Sequence, residues 1–594
     1  MSNMSILRRP SLSLAVIAAL TCAIPGPAKS KDKERRPGFK FTSRSELVLI
    51  PTLVTDGSGT HIRGLKPEDF TVLENGVEQK ISTFEEVSSD SHVWTRAESP
   101  NEFSNFVTRG PSPGRITIIV LDFLNTAFVD QESARRELLK YLAQSANQAE
   151  PIALYTLTRS GIHVIHDFTT DPRVLVAALR KVNGETLQMV DSVDTVERMT
   201  GTASPDGLAG VPRDAVQSEA DRLRTMGEDE ELNIQSFQQR LAIVYTLQGL
   251  QQFSQALAGI PGRKSLIWAS SGFPFSVSDT TMMIAPIGGA MQPSRPARGK
   301  GAGENIQIGG AARANVIDVL PEYERTWQML DRAQIALYPL DVAGLQVVEL
   351  AGASVSNPGR NYGRNMQLRH GDTLATFQTF AVMTGGRAYY NSNDLAQGFR
   401  DAVRDSAEYY ILGYYLDRTK TKPGWQKLAV KVKHDHVEVR ARSGFFVTQA
   451  ALDSGGSQGD DLVLALHSPL DYTSLPVVAR WGDIGPGTEP GKEHVSYQVH
   501  LAADLGLIDK DANNQLVLEF VALAKTPDGK PVDPPAHKRV EAHLTAEMVL
   551  ATRKEGINLT GALDLPPGEY TVRFVVRDEL SGRIGSVAAP LKVD

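Results

Sequence analysis

Apolar residues change their spacing three times along this chain. Glu46 to Val54 is an almost continuous apolar run, which predicts a strand, and Thr55-Asp56-Gly57-Ser58-Gly59 is turn chemistry. Pro51 inside that run favours an edge position or a bulge. Phe70-Thr71-Val72-Leu73-Glu74 predicts a second strand, Asn75-Gly76 a hairpin turn, and Val77 to Val87 a third strand. Residues 41–90 therefore form a small β module, too short to bury a sizeable core alone.

From Arg115 strands alternate with helical periods. Ile116-Thr117-Ile118-Ile119-Val120-Leu121-Asp122 reads as a central strand buried on both faces. Asp130 to Ser145 is helical, with Ala134, Leu138, Leu139 and Leu142 on one stripe. Strands are predicted at Ile152–Leu157, Ile162–His166, Ser265–Ala269, Ile335–Asp341 and Arg387–Tyr390. Helices are predicted from Asp171-Pro172 to Val182, over 236–258, and at Tyr323–Ala333, Thr373–Met383 and Asp394–Ser406. Such alternation predicts an α/β fold with a doubly wound, mostly parallel sheet. Polar 183–233 and the Gly/Ala/Pro/Arg-rich 282–314 read as insertions, and Leu345 to Gly371 as a third irregular stretch.

After Ser406 the period returns to two. Tyr409–Tyr415, Lys427–Val432 and Val437–Arg442 predict three successive strands. Ser454-Gly455-Gly456-Ser457-Gln458-Gly459 reads as a flexible linker. Alternating segments at 495–502, 515–524, 538–545 and 569–576, with Pro566-Pro567-Gly568 as a turn, predict a C-terminal Ig-like β-sandwich. The 41–90 and 409–442 strands both lack a partner face, so they are expected to pair into one composite sandwich.

The ends of the chain change this picture. Arg8-Arg9, the apolar stretch Leu12 to Ile24 and the small residues Gly26 and Ala28 form the three-part pattern of a secretory signal cleaved after Ala28. An uncleaved anchor is the alternative, but the apolar run is shorter than the ~20 residues a spanning helix needs. Cleavage would remove Cys22, the one cysteine, and move the formal net charge from −7 to −9. A thiol-free exported chain must be held by cores rather than disulfides, and fits a secreted or periplasmic location. The predicted organisation is signal 1–28, leader 29–40, β module 41–90, α/β domain 115–406, paired strands 407–450, and linker with sandwich 451–594. Hydrophobic residues at 41% and charged residues at 22% are ordinary for a globular chain. With 62 basic against 69 acidic residues, nothing pulls it toward nucleic acid, and no transmembrane span is expected in the mature chain.

Candidate chemistry concentrates where the first strand of the α/β region ends. Asp122 is followed by Phe123-Leu124-Asn125-Thr126, and an acid before short polar residues can gather oxygens around Mg²⁺. The same residues can instead cap the following helix. Ser270-Ser271-Gly272 lacks the nucleophile-elbow pattern, and no phosphate loop or dinucleotide fingerprint occurs. His163 and His166 fall on opposite faces of a strand, and His434-Asp435-His436 reads as a solvated turn. The tyrosines at 409, 410, 414 and 415 fall on both faces of one strand, as core and edge packing would place them.

Arg115 to about Ser406 resembles a von Willebrand factor A (VWA) domain, whose first strand ends in Asp-x-Ser-x-Ser, the core of a metal-ion-dependent adhesion site. By position Asp122 matches the acid and Thr126 the second hydroxyl, while Leu124 stands where the first serine should be. Ala269-Ser270-Ser271-Gly272 stands where the family carries Thr-Asp-Gly, so a serine replaces the acid. Pro261-Gly262-Arg263-Lys264, Tyr338-Pro339-Leu340-Asp341, Thr384-Gly385-Gly386-Arg387-Ala388, Tyr409 to Tyr414 and Val439 to Phe445 narrow the resemblance. With the opening Val54 to Gly76, they are similar in order to a bacterial family of secreted VWA-related proteins, described chiefly from acidobacteria.

The resemblance implies a VWA-like (Rossmann-like) sheet and a degenerate metal site of Asp122, Asn125, Thr126 and Ser270. No cofactor is expected, and Mg²⁺ no tighter than about 1 mM. The function expected is that of an exported, non-enzymatic VWA-domain protein making protein–protein or adhesive contacts with an envelope protein or polymer. The alternatives are an envelope hydrolase using Asp122 with Ser270 or Ser271, and a structural scaffold.

Overall fold

The computed structural model describes residues 46–87, 101–105, 116–144, 151–182, 241–260, 262–273, 322–344, 374–405, 408–417, 421–447, 458–487, 489–502 and 514–594. The expected signal, leader and insertions lie outside them, as does the irregular stretch 345–371. The strand Ile116–Asp122 is buried along its whole length at the centre of a five-stranded sheet. Its neighbours are Lys264–Ser270 and Ile152–Thr158, both parallel, with Ile335–Asp341 parallel beyond the first. Ile118 and Val120 face the helices at 241–257, 322–332 and 374–384. Ile119 and Leu121 face Phe128–Gln144 and Leu395–Asp405.

The expectation of an α/β chain built on a doubly wound, mostly parallel VWA-like sheet is corrected by this topology. Among the described residues, four of the five sheets pair only antiparallel strands, and the five-stranded one is mixed. Its last strand, Gly161–Thr169, folds straight back on Ile152–Thr158 across a two-residue turn, and so short a connection joins only antiparallel neighbours. The chain is predominantly antiparallel β. The period-two segments on either side carry most of the strands, and the sequence reading passed over five of them: Glu102–Ser104, Gly444–Val447, Val477–Pro486, Ile557–Leu565 and Ile584–Val593.

Glu46–Thr55 lies between Tyr409–Leu416 and Glu438–Ala441, and Thr83–Val87 closes that sheet. Facing it, Gly424–Val432 pairs with Phe70–Glu74 and Gly444–Val447, with Val77–Gln79 at the edge. Asn75 at φ 50° and Gly76 at φ 85° make the tight turn that matches strand twist. Val77 to Val87 is not one strand, because its two halves enter different sheets. Pro51 lies one residue beyond the register with Glu438–Ala441, where its missing N–H costs no ladder bond.

The seam between this sandwich and the mixed sheet is built from buried cations. The Arg263 amide donates to the Tyr409 hydroxyl at 2.8 Å, and its guanidinium donates to the Tyr338 hydroxyl and the Gly385 carbonyl. Arg440 pairs with Asp405 and Arg442 with Asp331. A Cβ on Gly386 would lie 2.0 Å from the Leu337 carbonyl oxygen, so the chain passes there only as glycine. Arg387 to Tyr390 forms no strand of its own; only Tyr389 bridges Leu340.

Lys264 is 2% exposed and donates to the Ala333 carbonyl at 2.6 Å. Burial pushes its ammonium down to about 7. The unfolded chain then holds a proton that the fold has released, so stability should rise with pH from about 7 toward the ordinary lysine range. Lys264→Met should remove that rise and stabilise the protein by about 2 kcal/mol at pH 7. Melting curves of both proteins between pH 7 and 9.5 check it; parallel curves would reject the assignment.

The C-terminal strands form two four-stranded sheets around one core, and Glu102–Ser104 supplies an edge from far up the chain. Asn105 holds that strand by donating to the carbonyls of Tyr472 and Leu475 and accepting from the Val477 amide. The stretch read as a linker ends in the helix Gln458–His467, whose Leu462, Ala465 and Leu466 join the core under the helix at 241–257. Thr473 ties the two together: its hydroxyl accepts from the Gly259 amide at 2.9 Å and donates to the Ala256 carbonyl at 2.7 Å.

Candidate functional site

Asp122, Asn125, Thr126, Ser270 and Ser271 do come together, at the carboxyl edge of the mixed sheet. Ile116–Asp122 and Lys264–Ser270 are adjacent parallel strands, so their last residues share that edge. Asp122 is 1% exposed and Ser270 0%. Asp122 Oδ1 accepts the Asn125 amide at 3.0 Å. Oδ2 accepts Asn125 Nδ2 at 2.9 Å, Trp268 Nε1 at 3.0 Å and Ser270 Oγ at 2.8 Å. Asn125 Nδ2 also reaches Thr246 Oγ1 at 2.9 Å, which ties the turn to the covering helix. Thr126 Oγ1 accepts the Ser271 amide at 3.1 Å, and Gln131 donates to the carbonyls of Phe123 and Thr126.

This is a closed polar knot. Three of the four protein donors crowd onto Oδ2 and one meets Oδ1, and burial keeps solvent from the rest. Burial pushes the Asp122 carboxyl above its ordinary value, and the donors from Asn125, Trp268 and Ser270 oppose that rise. Ser270 Oγ lies 2.6 Å from the Gly272 carbonyl as well as against Asp122, and it has one proton to give.

A divalent cation does not fit this set. The set has one buried carboxylate, its Oδ2 already takes three donors, and buried Leu124 offers no oxygen. Among the described residues no three of His, Cys, Asp and Glu come together in a way that would hold an ion. A hydrolase pair of Asp122 and Ser270 meets a different obstacle: the two are in contact but sealed, and the hydroxyl touches an acid and a carbonyl rather than a histidine.

His163 Nε2 lies 2.7 Å from Ser160 Oγ, and His166 Nδ1 lies 2.6 Å from the Asp167 carbonyl, so each serves its own hairpin. His434 comes within 4.0 Å of Asp69, and His436 takes φ 59° in the turn. Tyr409, Tyr410 and Tyr414 are buried and Tyr415 is exposed.

Sequence reasoning missed an open cleft of about 710 Å³ between the mixed sheet and the composite sandwich. Tyr389, Tyr390 and the strand Glu438–Ala441 border it. No catalytic motif marks it. The one signal in the sequence was the pair of family-like segments around Gly385-Gly386-Arg387 and Arg440-Ala441, which both line it and meet where Gly385 packs on Ala441.

No family model matches the chain, and no curated protein matches it. Among solved structures, the three N-terminal domains of the type V pili tip protein Mfa5 from Porphyromonas gingivalis align with 70% of this chain and 75% of that one. The identity is 8% and the TM-score 0.20, a likeness that carries no argument about fold or function. Among the described residues no helix is long and apolar enough to cross a membrane.

Proposed function

We propose that the chain is an exported, non-enzymatic binding protein of the cell envelope, making its contacts through the outer faces and seams of its β modules. The observation that carries this reading is the sealed Asp122–Ser270 knot. Open sheets with parallel strands place ligands at their carboxyl edge, and here that edge is closed by its own hydrogen bonds. The signal-like pattern at residues 1–28 supports export, and the mixed charge supports a protein or envelope polymer over nucleic acid.

The test immobilises the full mature protein and passes envelope extract over it. One component should be retained reproducibly, equally in EDTA and in millimolar Mg²⁺, and the melting temperature should not move between those two buffers. A site filled at 100 times its dissociation constant would stabilise by about 2.7 kcal/mol, a readable shift. Retention that disappears in EDTA, or labelling of Ser270 or Ser271 by a fluorophosphonate, would overturn the reading in favour of metal-dependent binding or hydrolysis. No retained component, with loss of envelope integrity on gene deletion, would favour a scaffold.

A further inference from the structure

Among the described residues, one wall of the cleft between the two modules carries a strand edge and the other a single bridging residue. On one wall, Glu438–Ala441 is the outermost strand of its sheet. Val54 stands opposite Val439 but gives its carbonyl to the Ile62 amide on the far side, at 3.0 Å. Val54 and Val439 are therefore a non-hydrogen-bonded pair. The Val439 backbone N–H and C=O point out of the sheet, whereas Ala441 is already backed by Gly385, whose Cβ would lie 3.1 Å from the Ala441 carbonyl carbon. On the other wall, Tyr389 donates its amide to the Pro339 carbonyl and accepts the Asp341 amide, both at 2.8 Å. Its neighbours Ala388 and Tyr390 must then turn their backbone groups the other way, toward the cleft. The volume, about 710 Å³, is that of ligand clefts in general.

Charge decides what would enter. Asp394 and Asp401 line the cleft with Arg387; Asp341 lies there too but is 0% exposed, and Glu438 is paired with Arg440. Arg440 is spent on Asp405 and Glu438, and Arg387 lies over the Tyr389 ring. Arg400 and Arg404 reach Asp394 and Asp401 from outside the cleft, as exposed pairs that contribute little. The lining is acidic, with Tyr390 offering a ring to a cation.

We propose that this cleft takes an extended, lysine- or arginine-bearing peptide segment of a partner protein, which pairs with the strand edge at Val439. This rests on the binding reading above and names its partner class. Main-chain hydrogen bonds would supply affinity, and the acidic walls the preference for basic side chains.

The test is fluorescence anisotropy with the full mature protein and labelled seven-residue peptides of alternating lysine and valine. Three arms are compared: the plain peptide, the same peptide N-methylated at each valine, and its glutamate counterpart. The plain peptide should bind at micromolar levels and the other two at least tenfold more weakly. Val439→Pro removes the outward N–H without removing a bond to Glu46–Thr55, so it should weaken the plain peptide at least tenfold while the melt stays put. Equal binding of the N-methylated or the glutamate peptide overturns the proposal. So does a self-associating protein whose dimer, rather than peptide binding, is lost in Val439→Pro. If no peptide binds at 1 mM while envelope extract still yields its retained component, this proposal fails and the broader reading stands. If extract yields nothing either, both fail.

Discussion

Asp122→Ala should cost the fold about 4 kcal/mol or more, read as a lowered midpoint in guanidinium unfolding of the protein. The substitution removes no exposed charge. It leaves the Trp268 indole, the Ser270 hydroxyl and the Asn125 amide groups facing an apolar methyl, and each buried donor without a partner costs ~1–3 kcal/mol. Ser270→Ala removes one donor and keeps the acceptor, so it should cost only about 1 kcal/mol. The pH dependence has a definite sign. Burial raises the Asp122 carboxyl, so its contribution is fully present below the ordinary aspartate range and is lost as pH rises through the raised folded value. The alanine variant should lack that loss. An unchanged midpoint would mean that the knot does not hold the sheet edge.

Gly259→Ala should separate the C-terminal sandwich from the rest of the molecule. A Cβ there would lie 1.7 Å from the Thr473 carbonyl oxygen, and no rotamer relieves a clash between two backbones. The Thr473 hydroxyl would lose both its partners, at Gly259 and Ala256, and the face around Leu462, Leu466, Val521 and Ile584 would meet water. Overpacking and lost hydrogen bonds together predict about 3 kcal/mol of destabilisation. The melt should split into two transitions and an apolar dye should bind before the second. A single transition within a degree of the parent would show that the docking is looser than the geometry implies.

Local elements were legible where one period dominates. Ile335–Asp341 was predicted to the residue, and the Asn75-Gly76 turn by its chemistry. Pairing was less so. The continuous apolar run at Ile152–Leu157 reports burial on both faces but not the direction of the neighbour, and the short turn to Gly161 that settles it was passed over. Glu102–Ser104 is too short to show a period, and only its long-range clamp through Asn105 makes it a strand.

At the candidate site the sequence placed the right residues on one edge. It left out Trp268, because an indole inside an apolar strand reads as core until its N–H is seen to reach Asp122. No chemical motif marked the cleft, because a strand edge is a property of what does not pair beside it.

Glu46–Thr55 leaves the ribosome long before the strands on either side of it exist. Leu65 and the tyrosine that its amide meets are 345 residues apart. At roughly 5–20 residues per second, that separation is a wait on the order of 20–70 s. The hairpin Phe70–Gln79 can close locally in that time, but the apolar edge ahead of it has nothing to pair with. Contacts of such long range also make folding intrinsically slow. On the proposed export, a chain with this connectivity would cross a membrane more readily as an unfolded thread than after folding, with a holding chaperone on the side where its tail arrives last.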